Sequence, residues 1–200
     1  MEEATEAEAF SARSWLFAPG DSERKMEKAA AGPADIVILD LEDAVAVEEK
    51  PRARTIITDF LKARADGRER LWVRVNPLDG AHTLADLAAI MPARPGGIML
   101  PKARGRADVE LLDHYLSALE VANGIEQGST RVIVLVTETA AAMFTTGSAT
   151  WPMMITSSRM AGCGKGLERG VNATTKRFCS KNETLIAPMK DEVFIFLSGW

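Results

Sequence analysis

Short apolar runs alternate with longer stretches in which apolar residues recur every three or four positions, over roughly the first three-quarters of the chain. Ser14-Trp15-Leu16-Phe17-Ala18 is a first short run, stopped by Pro19-Gly20, and predicts a buried strand with its exit turn. Asp21 and Ser22 are placed to cap a following helix that buries Met26, Ala29 and Ala30. The second strand is expected at 35–41, β-branched and bounded by charge. A helix follows over 47–65, then a strand at 71–75, a helix near 82–90 and a strand at 97–100. The helix expected over 107–122 carries Val109, Leu112, Tyr115, Leu116 and Leu119 at helical spacing. A fifth strand covers 132–136, with a helical start at 139–144.

This order predicts parallel strand–helix units, in a barrel or in an open doubly wound sheet, and periodicity alone does not separate the two. The absence of Gly-x-Gly-x-x-Gly after the first strand argues against a dinucleotide-binding domain. The N-terminal residues 1–12 are acidic and alanine-rich and read as a loose extension. Residues 13–150 carry the alternating pattern. Residues 151–200 are broken by glycines and Pro188, and only Val193-Phe194-Ile195-Phe196-Leu197 reads as a strand there.

Composition narrows the function. The 200 residues are 46% hydrophobic with a formal net charge of -4, which gives no electrostatic case for nucleic-acid binding. No stretch reaches the roughly 20 apolar residues of a membrane span. The acidic N-terminus is unlike a signal peptide, so the expected compartment is the cytoplasm, where Cys163 and Cys179 stay reduced. With only two histidines, any catalysis falls to carboxylates, arginines and lysines.

Parallel-strand folds place their chemistry at the C-terminal ends of the strands. All five expected strands carry charge there: Asp21, then Asp40-Leu41-Glu42-Asp43, then Arg74 before Val75-Asn76, then Lys102, then Glu138. Singly, each has a mundane role as a helix cap or ion-pair partner. Together they form an acidic cluster flanked by cations, suited to a divalent ion with oxygen ligands and to an anionic substrate.

Five ordered blocks resemble the citrate lyase beta subunit and malyl-CoA lyase family of the HpcH/HpaI aldolase superfamily. They are Arg13-Ser14-Trp15-Leu16-Phe17-Ala18-Pro19-Gly20, Asp40-Leu41-Glu42-Asp43-Ala44-Val45, Arg74-Val75-Asn76, Leu100-Pro101-Lys102 and Glu138-Thr139-Ala140. The resemblance covers about residues 13–148. It implies a (β/α)8 TIM-barrel fold, here incomplete at about five to six units. It also implies a Mg²⁺-dependent carbon–carbon lyase acting on a 3-hydroxy acid or its CoA thioester, such as citryl-, malyl- or citramalyl-CoA. Arg74 would bind a substrate carboxylate or carbonyl, and Glu138 would be a Mg²⁺ ligand that also touches substrate. Phe17 would form part of the substrate wall, Arg24 and Lys28 would reach a CoA moiety, and Glu42 and Asp43 would sit beside the metal through water. No role carries over to Lys102. A homo-oligomer is the implied assembly.

The sequence departs from this family after residue 150. The aspartate that supplies the second metal ligand falls near Gly166, beside Lys165 and Leu167, with Glu168 as the nearest substitute. The later barrel units and a C-terminal acid/base aspartate are missing, which would leave the edges of the first and fifth strands unpaired and their apolar faces uncovered. Two alternatives follow: a truncated, non-catalytic family member that associates with a partner chain, or an aldolase acting on a 2-oxo acid.

Overall fold

A computed structural model describes residue 12, residues 14–136, residue 138, and two short strands at 185–186 and 193–197. The expected extension over 1–12 lies outside the described residues except at its last position. So do Arg13, the helical start at 139–144, and the region of Lys165, Gly166, Leu167 and Glu168.

The element order is β1 (Trp15–Pro19), α1 (Glu23–Ala30), β2 (Ile36–Asp40), α2 (Lys50–Lys62), β3 (Leu71–Arg74), α3 (Thr83–Ile90), β4 (Gly97–Leu100), α4 (Arg106–Ala122) and β5 (Val132–Val136). These match the expected elements to within a few residues. Ser22 takes the N-cap position of α1, but its side chain makes no capping hydrogen bond. The acidic Glu23 in the first turn offsets the helix dipole instead.

Strands β1 to β5 pair in parallel, each with its sequence neighbour. β1 to β5 follow sequence order across the sheet, without the reversal of strand order that a doubly wound sheet shows. Closure into a barrel is not seen among the described strands. The sheet continues instead through β7 (Val193–Leu197), parallel to β5, and ends at β6 (Leu185–Ile186), antiparallel to β7. The strand expected at 193–197 therefore forms, and it corrects the expectation of an unpaired fifth strand: β5 has a partner on each side.

Two apolar layers cover the sheet. Val37, Leu39, Val73, Ile98, Leu100 and Val134 pack against the helices, with Met26, Ile57, Phe60, Leu61, Leu87 and Leu116. The other face holds Ile36, Ile38, Trp72, Met99 and Ile133, with Trp15 and Leu135 against them. Ile38, Trp72, Met99 and Ile133 are fully buried, so this face is covered from β2 to β5, whereas Leu16 and Phe17 of the edge strand β1 stand exposed, as the sequence suggests for that strand. Burial on both sides explains why β2 is a continuous apolar run rather than an alternating one. Trp15 and Trp72 meet edge to face with ring centroids 5.4 Å apart. Among the described residues no helix is long and apolar enough to cross a membrane.

Gly97 makes room for this inner layer. A Cβ at that position would lie 2.5 Å from the Trp72 ring. Gly97→Ala should therefore lower stability by about 1–3 kcal/mol through overpacking, read as a lower urea midpoint at unchanged m-value. An unchanged midpoint would show that the indole has room to move.

Candidate functional site

The parallel register brings the charged strand ends to one rim. Asp40 closes β2, its register partner Arg74 closes β3, and both lie on the face that carries Ile38 and Trp72 lower down. Asp40, 1% exposed, spends its carboxylate entirely on local order. Oδ1 accepts from the Glu42 amide at 2.8 Å and Oδ2 from the Ala44 amide at 3.1 Å. The same oxygens accept from Arg74 Nε at 2.8 Å and Nη2 at 2.6 Å. This is a fork-on-fork pair, which fixes the guanidinium plane as well as its charge. Asp40 thus folds the loop after β2 and clamps Arg74 across to it.

Arg74 Nη1 then points at Glu42 Oε2, 3.0 Å away, and at Asp43 Oδ2, 3.8 Å away. Its guanidinium lies over the Phe17 ring at 4.8 Å. Burial would pull the Arg74 pKa down, but the bonds and charge of Asp40, with Glu42 and Asp43, outweigh it and hold the pKa above its ordinary value. Lys102 Nζ lies 2.7 Å from Glu42 Oε1 and 3.3 Å from Asp43 Oδ1. Its backbone amide donates to Glu138 Oε2 at 2.8 Å. The Glu42 contact, stronger than the desolvation that opposes it, raises the Lys102 pKa. Desolvation dominates at Glu42 itself and raises its carboxyl pKa against the pull of Lys102 and Arg74.

Phe17, Glu42, Asp43, Arg74, Lys102 and Glu138 are therefore joined in one chain of contacts. Arg24 and Lys28 are not part of it. They stand exposed on α1, four residues apart and so on one helix face.

A second network, not anticipated from sequence, underlies the first. Lys50, 5% exposed, donates from Nζ to Leu41 O at 2.8 Å, Glu42 O at 2.9 Å and Asn76 Oδ1 at 2.7 Å. Asn76 in turn donates from Nδ2 to Asp86 Oδ2 at 2.7 Å, and Arg54 Nε donates to Asp86 Oδ1 at 2.7 Å. Desolvation lowers the Lys50 pKa, opposed first by the charge of Asp86. These groups tie the loop after β2 and the end of β3 to α2 and α3. A signal for them is present in the sequence: Lys50 shares helical phase with Ala53, Ile57 and Phe60, and Asp86 with Thr83 and Ile90.

The donor set suits Mg²⁺. Four carboxylates (Asp40, Glu42, Asp43 and Glu138) face two cations, leaving a formal charge of minus two. Both carboxylate oxygens of the buried Glu42 are near cations yet lack a hydrogen-bond partner. Glu138 is exposed and uses Oε2 on the Lys102 amide. Hard oxygen donors, few in number and with Asp43 and Glu138 open to water, are what Mg²⁺ accepts. Among the described residues no three His, Cys, Asp or Glu side chains converge closely enough to form an all-protein cage.

Known proteins resemble part of this chain. The family model for HpcH/HpaI aldolase/citrate lyase matches residues 13–146. The chain is 35% identical over 124 residues to citrate lyase subunit beta of Haemophilus influenzae, covering 62% of this chain and 43% of that protein. It is 38% identical over 115 residues to L-malyl-CoA/beta-methylmalyl-CoA lyase of Cereibacter sphaeroides, covering 56% of this chain and 36% of the relative. A (3S)-malyl-CoA thioesterase of the same species is 43% identical over 98 residues, 49% of this chain and 34% of that one. The match thus spans less than half the length of each of these relatives. A solved citrate lyase beta subunit from M. tuberculosis, complexed with oxaloacetate and magnesium, superposes with a TM-score of 0.54 at 36% identity. It covers 68% of this chain and 52% of the solved one.

The buried network should be essential to the loop. Lys50→Met leaves Asn76 Oδ1 without its donor and removes one of two donors from each of Leu41 O and Glu42 O, which keep Asn76 Nδ2 and the Val45 amide, and should cost about 3 kcal/mol of stability. Urea unfolding of the two proteins measures this, and a loss below about 1 kcal/mol would mean that water replaces the ammonium.

Proposed function

The chain belongs to the HpcH/HpaI aldolase/citrate lyase family, and from that premise we propose that its site is that of a Mg²⁺-dependent carbon–carbon lyase. The substrate class is a 3-hydroxy acid or its CoA thioester, of the citryl-, malyl- or citramalyl-CoA kind, and residues 13–150 belong to the lyase domain. The observation that carries this reading is the convergence of Arg74, Lys102, Glu42, Asp43 and Glu138 at neighbouring strand ends.

Cleavage of a 3-hydroxyacyl compound removes the 3-hydroxyl proton to a base, turns C3 into a carbonyl as the C2–C3 bond breaks, and leaves the electron pair on C2 as an enolate that is then protonated. Catalysis therefore requires positive charge placed where the enolate oxygen forms, in a setting that needs no rearrangement. Arg74 meets that requirement. Asp40 holds its plane, and the guanidinium N–H groups left over from that pair can receive a carboxylate or carbonyl oxygen. Phe17 walls the same space with an apolar ring under the guanidinium. Glu138 and Glu42 would hold Mg²⁺, the latter directly or through water, with Asp43 beside them. When bound, the ion supplies Lewis acidity and a fixed orientation of substrate oxygens. Arg24 and Lys28 would meet the phosphates of a CoA substrate from the α1 surface.

Titration of MgCl2 into the purified chain by calorimetry tests the metal site. Glu138→Ala should weaken binding by about tenfold or more, as loss of a carboxylate ligand does, with the fold unchanged by circular dichroism. Equal affinity in both proteins would remove Glu138 from the metal site. Incubation with malyl-CoA then separates two reactions. Acetyl-CoA and glyoxylate identify the lyase. Malate and free CoA identify thioester hydrolysis, the second reading, which the similarity to the thioesterases favours.

A further inference from the structure

Lys102 is the one member of the cluster to which the sequence assigns no role, and its surroundings supply one. Its backbone is left-handed, with φ at 52°, a conformation that strains a residue with a Cβ and gathers at functional sites. That turn sends the amide and the side chain to different partners. The amide donates to Glu138 Oε2 at 2.8 Å, while the ammonium reaches Glu42 at 2.7 Å and Asp43 at 3.3 Å. One residue therefore touches three carboxylates carried on the ends of two strands.

The two cations of the site are held very differently. Arg74 is locked to Asp40 by two aligned bonds and is 12% exposed. Lys102 is 40% exposed, and Glu42, its closest partner, gains from it proximity without hydrogen-bond alignment. A flexible four-carbon stem with a path to solvent gives up such a contact at little cost, unlike a clamped guanidinium.

Resting on the reading of the site as a Mg²⁺ and anion site, we propose that Lys102 is an internal counter-cation that a divalent ion displaces. In the metal-free site its single charge offsets Glu42 and Asp43. A divalent ion satisfies the same carboxylates and repels the ammonium, since like charges a few ångströms apart are costly in a partly buried site. The released ammonium, still tethered at the rim, then meets a carboxylate or enolate oxygen of the substrate. The order of binding follows: metal first, anion second.

Opposite effects on two affinities test this. Calorimetry with MgCl2, and with oxaloacetate at saturating MgCl2, is run on the wild-type chain, Lys102→Met and Lys102→Arg. Lys102→Met should bind Mg²⁺ about threefold to tenfold more tightly and oxaloacetate about tenfold more weakly. Lys102→Arg, which keeps the charge, should move both values back toward wild type. A lysine that only braces the fold would weaken both together. Mg²⁺ binding that is unchanged, weakened or absent in Lys102→Met overturns the proposal, and so does unchanged oxaloacetate affinity. If the methionine variant does not fold, Lys102→Gly removes the same ammonium without the left-handed strain. The outcomes also separate the two proposals. Mg²⁺ binding lost in Glu138→Ala but unchanged in Lys102→Met removes the counter-cation and leaves the lyase. Opposite shifts without cleavage of malyl-CoA do the reverse.

Discussion

Two bonds from the Arg74 guanidinium to the Asp40 carboxylate, at 2.8 and 2.6 Å, organise the rim of this sheet. Asp40 and Arg74 are register partners on neighbouring parallel strands, so the pairing of β2 with β3 by itself sets them side by side. With its charge satisfied there, Asp40 still accepts from the amides of Glu42 and Ala44, which turns the loop inward and buries Glu42 beside the guanidinium. The guanidinium in turn covers Phe17. A buried ion pair is weak evidence of net stabilisation, because desolvation offsets much of the attraction. What it supplies here is definition: one orientation for Arg74 and one path for the loop.

Asymmetry between the two cations gives the site its character. Arg74 is clamped, and Lys102 is loosely held. Underneath, Lys50 fixes the carbonyls of Leu41 and Glu42 from the protein interior. The carboxylates of Glu42 and Asp43 are thus anchored through their backbone while their oxygens stay available to whatever charge arrives. A hard, oxygen-lined, net-negative site with one rigid positive wall follows from those three arrangements together.

Much of this was legible in the sequence. The five short apolar runs became β1 to β5, and the charges after β2, β3, β4 and β5 met at one rim, because parallel strands all deliver their C-terminal ends to the same side. The choice between an open doubly wound sheet and a barrel-type winding was not legible from periodicity. It depends on strand order, which long-range pairing sets. The buried cations and carboxylates were missed for a different reason. Lys50, Asp86 and Glu120 each fall in phase with a buried apolar stripe, yet composition treats them as solvent-facing. Their partners lie outside their own helices, as when Glu120 accepts from the amides of Gly128 and Thr130 in the loop before β5, and Asp86 from the side chain of Arg54 on α2. No local pattern reveals such an acceptor. The covering of β5 by β7 is a similar case: the strand at 193–197 could be read, but its neighbour could not.

The T-shaped contact of Trp15 with Trp72 places two chromophores on the inner face of the sheet. Trp72 is fully buried and lies two residues before Arg74 on the same strand, so the two side chains point to the same face. Light absorbed by this indole pair is therefore emitted from a spot one pleat beneath the charged rim. The protein thus carries an indole pair at the floor of the site, one residue pair below Arg74 on the same face.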